Sequence, residues 1–210
     1  MQYFDNLMLE QLQPYGFKKK KKHEFVRKQD DCLQHIWILD TKVKGEEKVH
    51  IYISIGFKYE QVDKLVDYLR MQKYDKKYPT ADINLNALLD TDTTFGFYID
   101  VDTDMKPIIN DIMNVIVKYG FSFLEKCDTL EKFQTSLVNK EADVWPSTFG
   151  LNKPEWNYLA LAIILGNMSM ESVKEVCESG IKKRALRWEL DNWETAQKRI
   201  DSYELIKGEL

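Results

Sequence analysis

Between Val49 and Phe57 every second residue is apolar: Val49, Ile51, Ile53, Ile55 and Phe57 alternate with His50, Tyr52, Ser54 and Gly56. A period of two marks a strand with one face buried, so a strand is expected over 47–57. Two further strand candidates precede it, over about 18–28 and 33–42. Lys44-Gly45, between the second and third, suits a hairpin turn because glycine takes positive φ at no steric cost. Two later segments alternate as well. Ile83, Leu85, Ala87 and Leu89 form the apolar set of 82–89, and Phe95, Phe97, Ile99 and Val101 that of 95–102, with a hairpin connection expected at 90–94.

Other stretches repeat at helical spacing. Phe4, Leu7, Met8 and Leu12 mark a helix over 2–13; Val62, Leu65, Val66 and Leu69 mark one over 59–72; Ile109, Ile112, Met113 and Ile116 mark one over 105–119. Pro14 and Gly16 should stop the first. Gly120 should stop the third in the left-handed conformation, with Phe121 folding back on Ile116. The tripeptide Tyr-Gly-Phe at 15–17 and again at 119–121 therefore reads as two similar helix stops. Past about residue 125 alternation ends, and helices are expected over 128–139, 154–165, 170–179 and 183–206, with Ser169 as an N-cap and Gly180 and Gly208 as stops.

Strands first and helices after is the order of an α+β protein. The expected architecture is an antiparallel β-sheet with helices packed on one face, followed by an all-helical C-terminal region. Residues 1–125 form the expected sheet domain, and 126–210 a helical region packed on it, with 140–154 as an internal boundary or exposed loop. Trp145, Trp156, Trp188 and Trp193 all fall in the second part, which needs a core of its own or a firm seat on the sheet.

Composition narrows the class. The chain has 210 residues, 44% of them hydrophobic, and 30 basic against 34 acidic side chains leave a net charge of -4. Asp5 and Glu10 interrupt the early apolar stretch, which is unlike a signal peptide. The apolar run 156–166 falls short of the roughly 20 residues that span a bilayer. Cys32, Cys127 and Cys177 are odd in number and scattered, as reduced thiols are. A cytoplasmic protein without a membrane segment is expected.

Five consecutive lysines, Lys18 to Lys22, with Arg27 beyond them, form the candidate basic patch. On a strand they would point to both faces, and a central strand cannot bury unpaired ammonium groups. The segment is therefore expected at a sheet edge, where lysines also block sheet-to-sheet aggregation. Residues 1–30 carry seven basic and four acidic side chains, a balance of +3. That is little for phosphate binding, and the run lacks interleaved aromatics that stack bases. A solvated edge is preferred to a grip on an acidic protein, and nucleic acid is disfavoured.

Other constellations are weaker. Asp100, Asp102 and Asp104 follow a strand as the aspartates of haloacid-dehalogenase enzymes do, but the fifth position of that motif is here Asp104, and a parallel sheet is not expected. A polar strand face for Asp100 and Asp102 and an N-cap for Asp104 explain the three. His23, His35 and His50 fall on successive candidate strands, where register decides whether they share a site. Asp40 with Glu46, Glu47 and Lys48 only faintly matches a nuclease pattern. Neither a catalytic set nor a metal or cofactor motif is identified. The surface that stands out is the polar face of the later strands: His50, Tyr52, Ser54, Asn84, Asn86, Tyr98, Asp100 and Asp102. Such a mixture suits a protein or ligand contact, or a seat for the tryptophan-bearing helices.

The opening residues add one resemblance. Leu12, Pro14, Gly16, Phe17, Lys18 and Lys19, then Phe25 and Arg27, are similar to the pattern of a largely bacterial family known as domain of unknown function 4304, over about residues 1–140. The resemblance implies helices packed on an antiparallel sheet and carries over no activity or site residues. Taken together, the expectation is a non-enzymatic protein-binding module, with an immunity-type, toxin-neutralising role as its specific form and a partner of unknown identity. A metal-dependent hydrolase or nuclease using Asp100, Asp102 and a strand histidine is one alternative. A nucleic-acid adaptor using Lys18 to Lys22 is the other.

Overall fold

A computed structural model describes residues 2–42, 44–45, 47–74, 79–88, 97–100, 102–141, 154–184 and 187–206. The chain divides into two compact units, 1–57 with 81–129 and 58–80 with 130–210.

The first unit opens with helix α1 (Gln2–Leu12), which buries Phe4, Met8 and Leu12 completely. A short 3-10 turn and Gly16, at φ 83°, end it, as the sequence implies. The sheet follows: β1 (Lys18–Lys21), β2 (Glu24–Gln29), β3 (Cys32–Lys42), β4 (Val49–Lys58), β5 (Ala81–Asn84) and β6 (Phe97–Ile99). Its order is β1-β2-β3-β4-β5, with β6 paired to β4 as well. β1–β2, β2–β3, β4–β5 and β4–β6 are antiparallel. A turn spans Lys44-Gly45, with Gly45 at φ 84°.

One face of this sheet is greasy. Phe25, Ile36, Ile38, Ile51, Ile53, Ile55, Phe57, Ile83 and Ile99 are all buried; the last six belong to the alternating sets that the pattern marks out. Over it lies a helical run: α4 (Met105–Val115), a π-helical turn (Ile116–Gly120) and α5 (Phe121–Glu125). Phe123 packs on Phe57 at 5.8 Å between ring centroids, and Phe121 stacks on Phe17 at 6.1 Å. The fold is thus an α+β sheet with helices on one face.

Three local expectations need correction. Residues 18–28 are not one strand but the hairpin β1–β2, closed by a turn at Lys22-His23 in which His23 takes φ 61°. Residues 82–89 are a strand only to Asn84, after which Leu85–Leu88 form a short helix, α3. Leu85 and Leu88 also have helical spacing, so the run fits either period. Gly120 does not stop a helix either. It has φ -66° inside the continuous run, and a Cβ there would overlap Cδ1 of Ile55. Glycine here leaves room for the Ile55 side chain where helix meets sheet and serves no left-handed turn.

The second unit is helical: α2 (Glu60–Leu69), α6 (Leu130–Val138), α7 (Pro154–Leu165), α8 (Met170–Arg184) and α9 (Arg187–Ile206). Its core is its own. Residues 154–162 of α7 are buried throughout, Trp156 meets Trp193 edge-on at 5.9 Å, and Tyr59 stacks on Phe133 at 6.2 Å. Gln134 and Asn167 exchange hydrogen bonds of 3.0 and 2.9 Å between α6 and the turn before α8. The expected division at 125/126 groups α2 with the sheet, whereas here α2 packs on α7 and α9. Gly180 lies inside α8 rather than ending it, and a Cβ there would meet the side chain of Glu155. The expected connection at 90–94, Phe95, Val101, Trp145 and Gly208 lie outside the described residues, as does the side chain of Trp188. Among the described residues, no helix is long and apolar enough to cross a membrane.

Candidate functional site

β1 is the edge strand the lysine run calls for, but its lysines are not simply solvated. Lys19 lies opposite Phe25, which turns it toward the helical side, where its Nζ sits 2.8 Å from Oδ2 of Asp5 in α1. A bulge between Lys19 and Lys21 then sets Lys21 opposite Glu24. Lys20 and Lys21 reach the Glu24 carboxylate at 3.1 and 3.0 Å. Both carboxylates are buried. Lys18 and Lys22 remain exposed. Arg27 leaves the candidate patch: its Nε donates to Gln34 at 2.7 Å, its Nη1 to the Tyr15 carbonyl at 3.0 Å, and it lies over the rings of Phe17 and Phe121. It fastens the end of α1 to the sheet.

Burial alone would raise the Asp5 carboxyl, but the hydrogen bonds from Lys19 and His23 outweigh it and hold it below the usual range. Glu24 behaves alike, with burial opposed by Lys21 and Lys20 and the net direction downward. These two carboxylates also claim two of the three histidines. His23 Nδ1 lies 2.6 Å from Asp5 Oδ1, and its backbone N–H donates to Asp5 Oδ2 at 3.2 Å, which holds the left-handed turn. His35 Nδ1 lies 3.1 Å from Glu24 Oε1, and the ring stacks on Trp37 at 4.6 Å. Asp40 stands 3.7 Å from His23 Nε2.

His50 stands apart from both, on the sheet face opposite the helices. β4 and β6 pair His50 with Tyr98, and the two rings stack at 4.4 Å with 4° between planes. Tyr52 tilts against the same imidazole at 4.0 Å. Tyr98 is 58% exposed, and Leu39 of β3 is 49% exposed. Asn84 pairs with Ser54, four residues along β4 from His50, and the Ser54 hydroxyl is occupied by Asp82 at 3.1 Å. The Asn86 side chain lies outside the described residues.

Asp100 and Asp102 are not on the strand, as expected, but just past it. β6 ends at Ile99, and Asp100 organises the turn into α4. Its Oδ1 accepts the Thr103 hydroxyl at 2.6 Å and the Asp102 N–H at 3.2 Å. The hydroxyl bond from Thr103 is the foremost influence holding this exposed carboxyl below its usual range. Asp104 caps α4 as expected, accepting from the Lys106 N–H at 3.1 Å.

The candidate face thus gathers His50, Tyr52 and Tyr98 into one aromatic stack, and Asp100 follows Tyr98 by two residues in the turn it shares with Asp102. Asn84 belongs to a separate polar pair. Among the described residues no group of three or more His, Cys, Asp or Glu side chains is disposed to hold a metal ion. Asp5, Glu24 and Asp63 are buried or part-buried carboxylates that sequence reasoning passed over. The signal for Asp5 is visible in retrospect, since it shares the helical face of Met8 and Leu12. No protein-family model matches the chain, and no curated protein or solved structure matches it either.

Proposed function

We propose that the chain is a non-enzymatic binding module that holds a protein partner on the His50–Tyr52–Tyr98 face. The carrying observation is the exposed ring of Tyr98, stacked on His50 and followed two residues later by the fixed carboxylate of Asp100. An exposed aromatic face beside an ionised carboxylate is the chemistry that receives an arginine or lysine side chain, the ring through its quadrupole and the carboxylate through charge-assisted hydrogen bonds. The partner is therefore a protein that presents a cationic side chain from its surface. The net charge of -4 favours encounter with such a surface. An immunity-type role, in which a cationic toxin surface is covered and neutralised, is the specific form of this reading.

The test is quantitative co-purification from the native host with three versions of the chain. Tyr98→Ala with Asp100→Asn is expected to lose the partner with little change in melting temperature, because the amide oxygen can still accept the Thr103 hydroxyl and the Asp102 N–H that hold the turn. Lys18→Glu with Lys22→Glu is expected to retain it. Retention by the first variant, or loss only from the second, refutes the reading. Salt-resistant heparin binding that disappears only in the lysine variant would support the nucleic-acid alternative instead.

A further inference from the structure

The second unit contains a carboxyl that the proposed binding face does not use. Asp63 lies in α2 with a side chain only 13% exposed. Its Oδ1 accepts the Thr80 hydroxyl at 2.6 Å, and its Oδ2 lies 2.9 Å from Nζ of Lys58, itself a buried residue. The Thr80 oxygen in turn accepts the Tyr59 N–H at 2.7 Å, and the Thr80 carbonyl accepts from the Asn157 side chain of α7 at 3.2 Å. Lys58 and Thr80 are the first and last residues of the segment 58–80, so one carboxylate joins the two ends of that excursion.

We propose that Asp63 is a pH-responsive latch at the base of segment 58–80: ionised, it holds Lys58 and Thr80 together, and protonated, it keeps Thr80 but releases the Lys58 ammonium. A neutral carboxyl still accepts from the Thr80 hydroxyl, whereas its attraction for the ammonium depends on charge. The groups around it set the midpoint. Burial pushes Asp63 up to about 6, against the hydrogen bond from Thr80 and the charge of Lys58, and Asp67, one turn along α2, adds a smaller upward push. Tyr74 lies under the Lys58 ammonium, 5.3 Å from ring centroid to Nζ. Glu60 and Lys64, also on α2, pair with each other at 3.5 Å; α7 brings the neutral Asn157 amide to the Thr80 carbonyl, and α9 brings Arg199, which donates to the Tyr68 carbonyl of α2. A midpoint near 6 is close enough to neutral for modest acidification to discharge the latch. Because the folded value lies above the ordinary carboxylate value, folding takes up a proton between about 4 and 6, and stability falls as pH rises through that window.

The experiment is carbon-detected NMR titration of side-chain carboxyls in the full chain, with Asp63→Asn as assignment control and Lys58→Met as a second variant. One carboxyl is expected to titrate near 6 in the wild type, to vanish in Asp63→Asn, and to move higher in Lys58→Met. The Tyr74 ring signals should follow the same midpoint, reporting departure of the ammonium. The folding equilibrium should also gain roughly twenty-fivefold between pH 7.5 and 4.5 relative to Asp63→Asn, the part of the two-unit displacement that this window spans. An Asp63 carboxyl that titrates in the ordinary range near 4, or Tyr74 signals indifferent to its titration, would overturn the proposal. If Asp63→Asn does not fold, the midpoint shift in Lys58→Met decides by itself: upward supports the latch, and unchanged refutes it.

Discussion

Replacing Asp5 by asparagine preserves shape and removes charge from the point where α1 meets the first hairpin. The wild-type carboxylate is fully buried and accepts three hydrogen bonds, from Lys19 Nζ at 2.8 Å, His23 Nδ1 at 2.6 Å and the His23 N–H at 3.2 Å. Hydrogen bonds to a charged group contribute about 1.5–3 kcal/mol each. An amide oxygen in the place of Oδ2 can keep the Lys19 and His23 N–H bonds, now without the charge, while its NH2 group faces His23 Nδ1 and loses the third. Lys19, 27% exposed, can turn partly to water and recover some solvation. The net loss is therefore about 2–4 kcal/mol, a little under the 3–5 kcal/mol typical of breaking a fully buried ion pair. The direction with pH follows from the lowered Asp5 carboxyl. Its contribution is complete above about 4, the unfolded value, and fades as pH falls from there toward the folded value. The gap between wild type and Asp5→Asn should be full at pH 7 and narrow toward pH 3. Amide exchange reads it locally, because the Ile38 N–H donates to the His23 carbonyl at 2.9 Å. Protection at Ile38 and His23 is expected to drop by roughly two orders of magnitude at pH 7. A loss below about 0.5 kcal/mol, or one that does not shrink in acid, would refute the reasoning.

Further outcomes follow from the same geometry. Gly120→Ala should cost about 1–3 kcal/mol by overpacking against Ile55, and Ile55→Val in the same chain should recover part of that in urea denaturation. Arg27→Lys should destabilise the first unit by about 1–2 kcal/mol, because a single ammonium cannot bond both Gln34 and Tyr15 while also lying over Phe17 and Phe121; equal melting temperatures would contradict that role. Glu24→Gln should release Lys20 and Lys21 and make amine labelling of both faster at neutral pH, with unchanged labelling counting against the buried pair.

Long alternation was the most legible part of the chain. In β4 the set Ile51, Ile53, Ile55 and Phe57 leaves one choice of buried face, and the opposite set, His50 and Tyr52, is where the aromatic stack forms. Short or charged stretches were not legible in the same way. Nothing local marks Lys22-His23 as a turn: its left-handed histidine is held by a carboxylate from α1, a tertiary partner. Gly16 and Gly120 stand in the same tripeptide yet serve different needs, one a positive φ and the other room for Ile55, a distinction that only packing makes. The residues behind the family resemblance are explained by folding. Leu12, Phe17 and Phe25 are buried, Gly16 turns the chain, and Arg27 lies over Phe17. Such a pattern reports the corner between α1 and the hairpin.

The basic run is largely spent on buried carboxylates, and recognition is proposed to belong to the aromatic face. A photoreactive side chain placed at position 98, and separately at exposed position 22, tests it most directly in the native host. The expected result is one dominant protein adduct from position 98, abolished by Asp100→Asn, with none from position 22. An adduct from position 22 alone, insensitive to Asp100→Asn, would contradict the account.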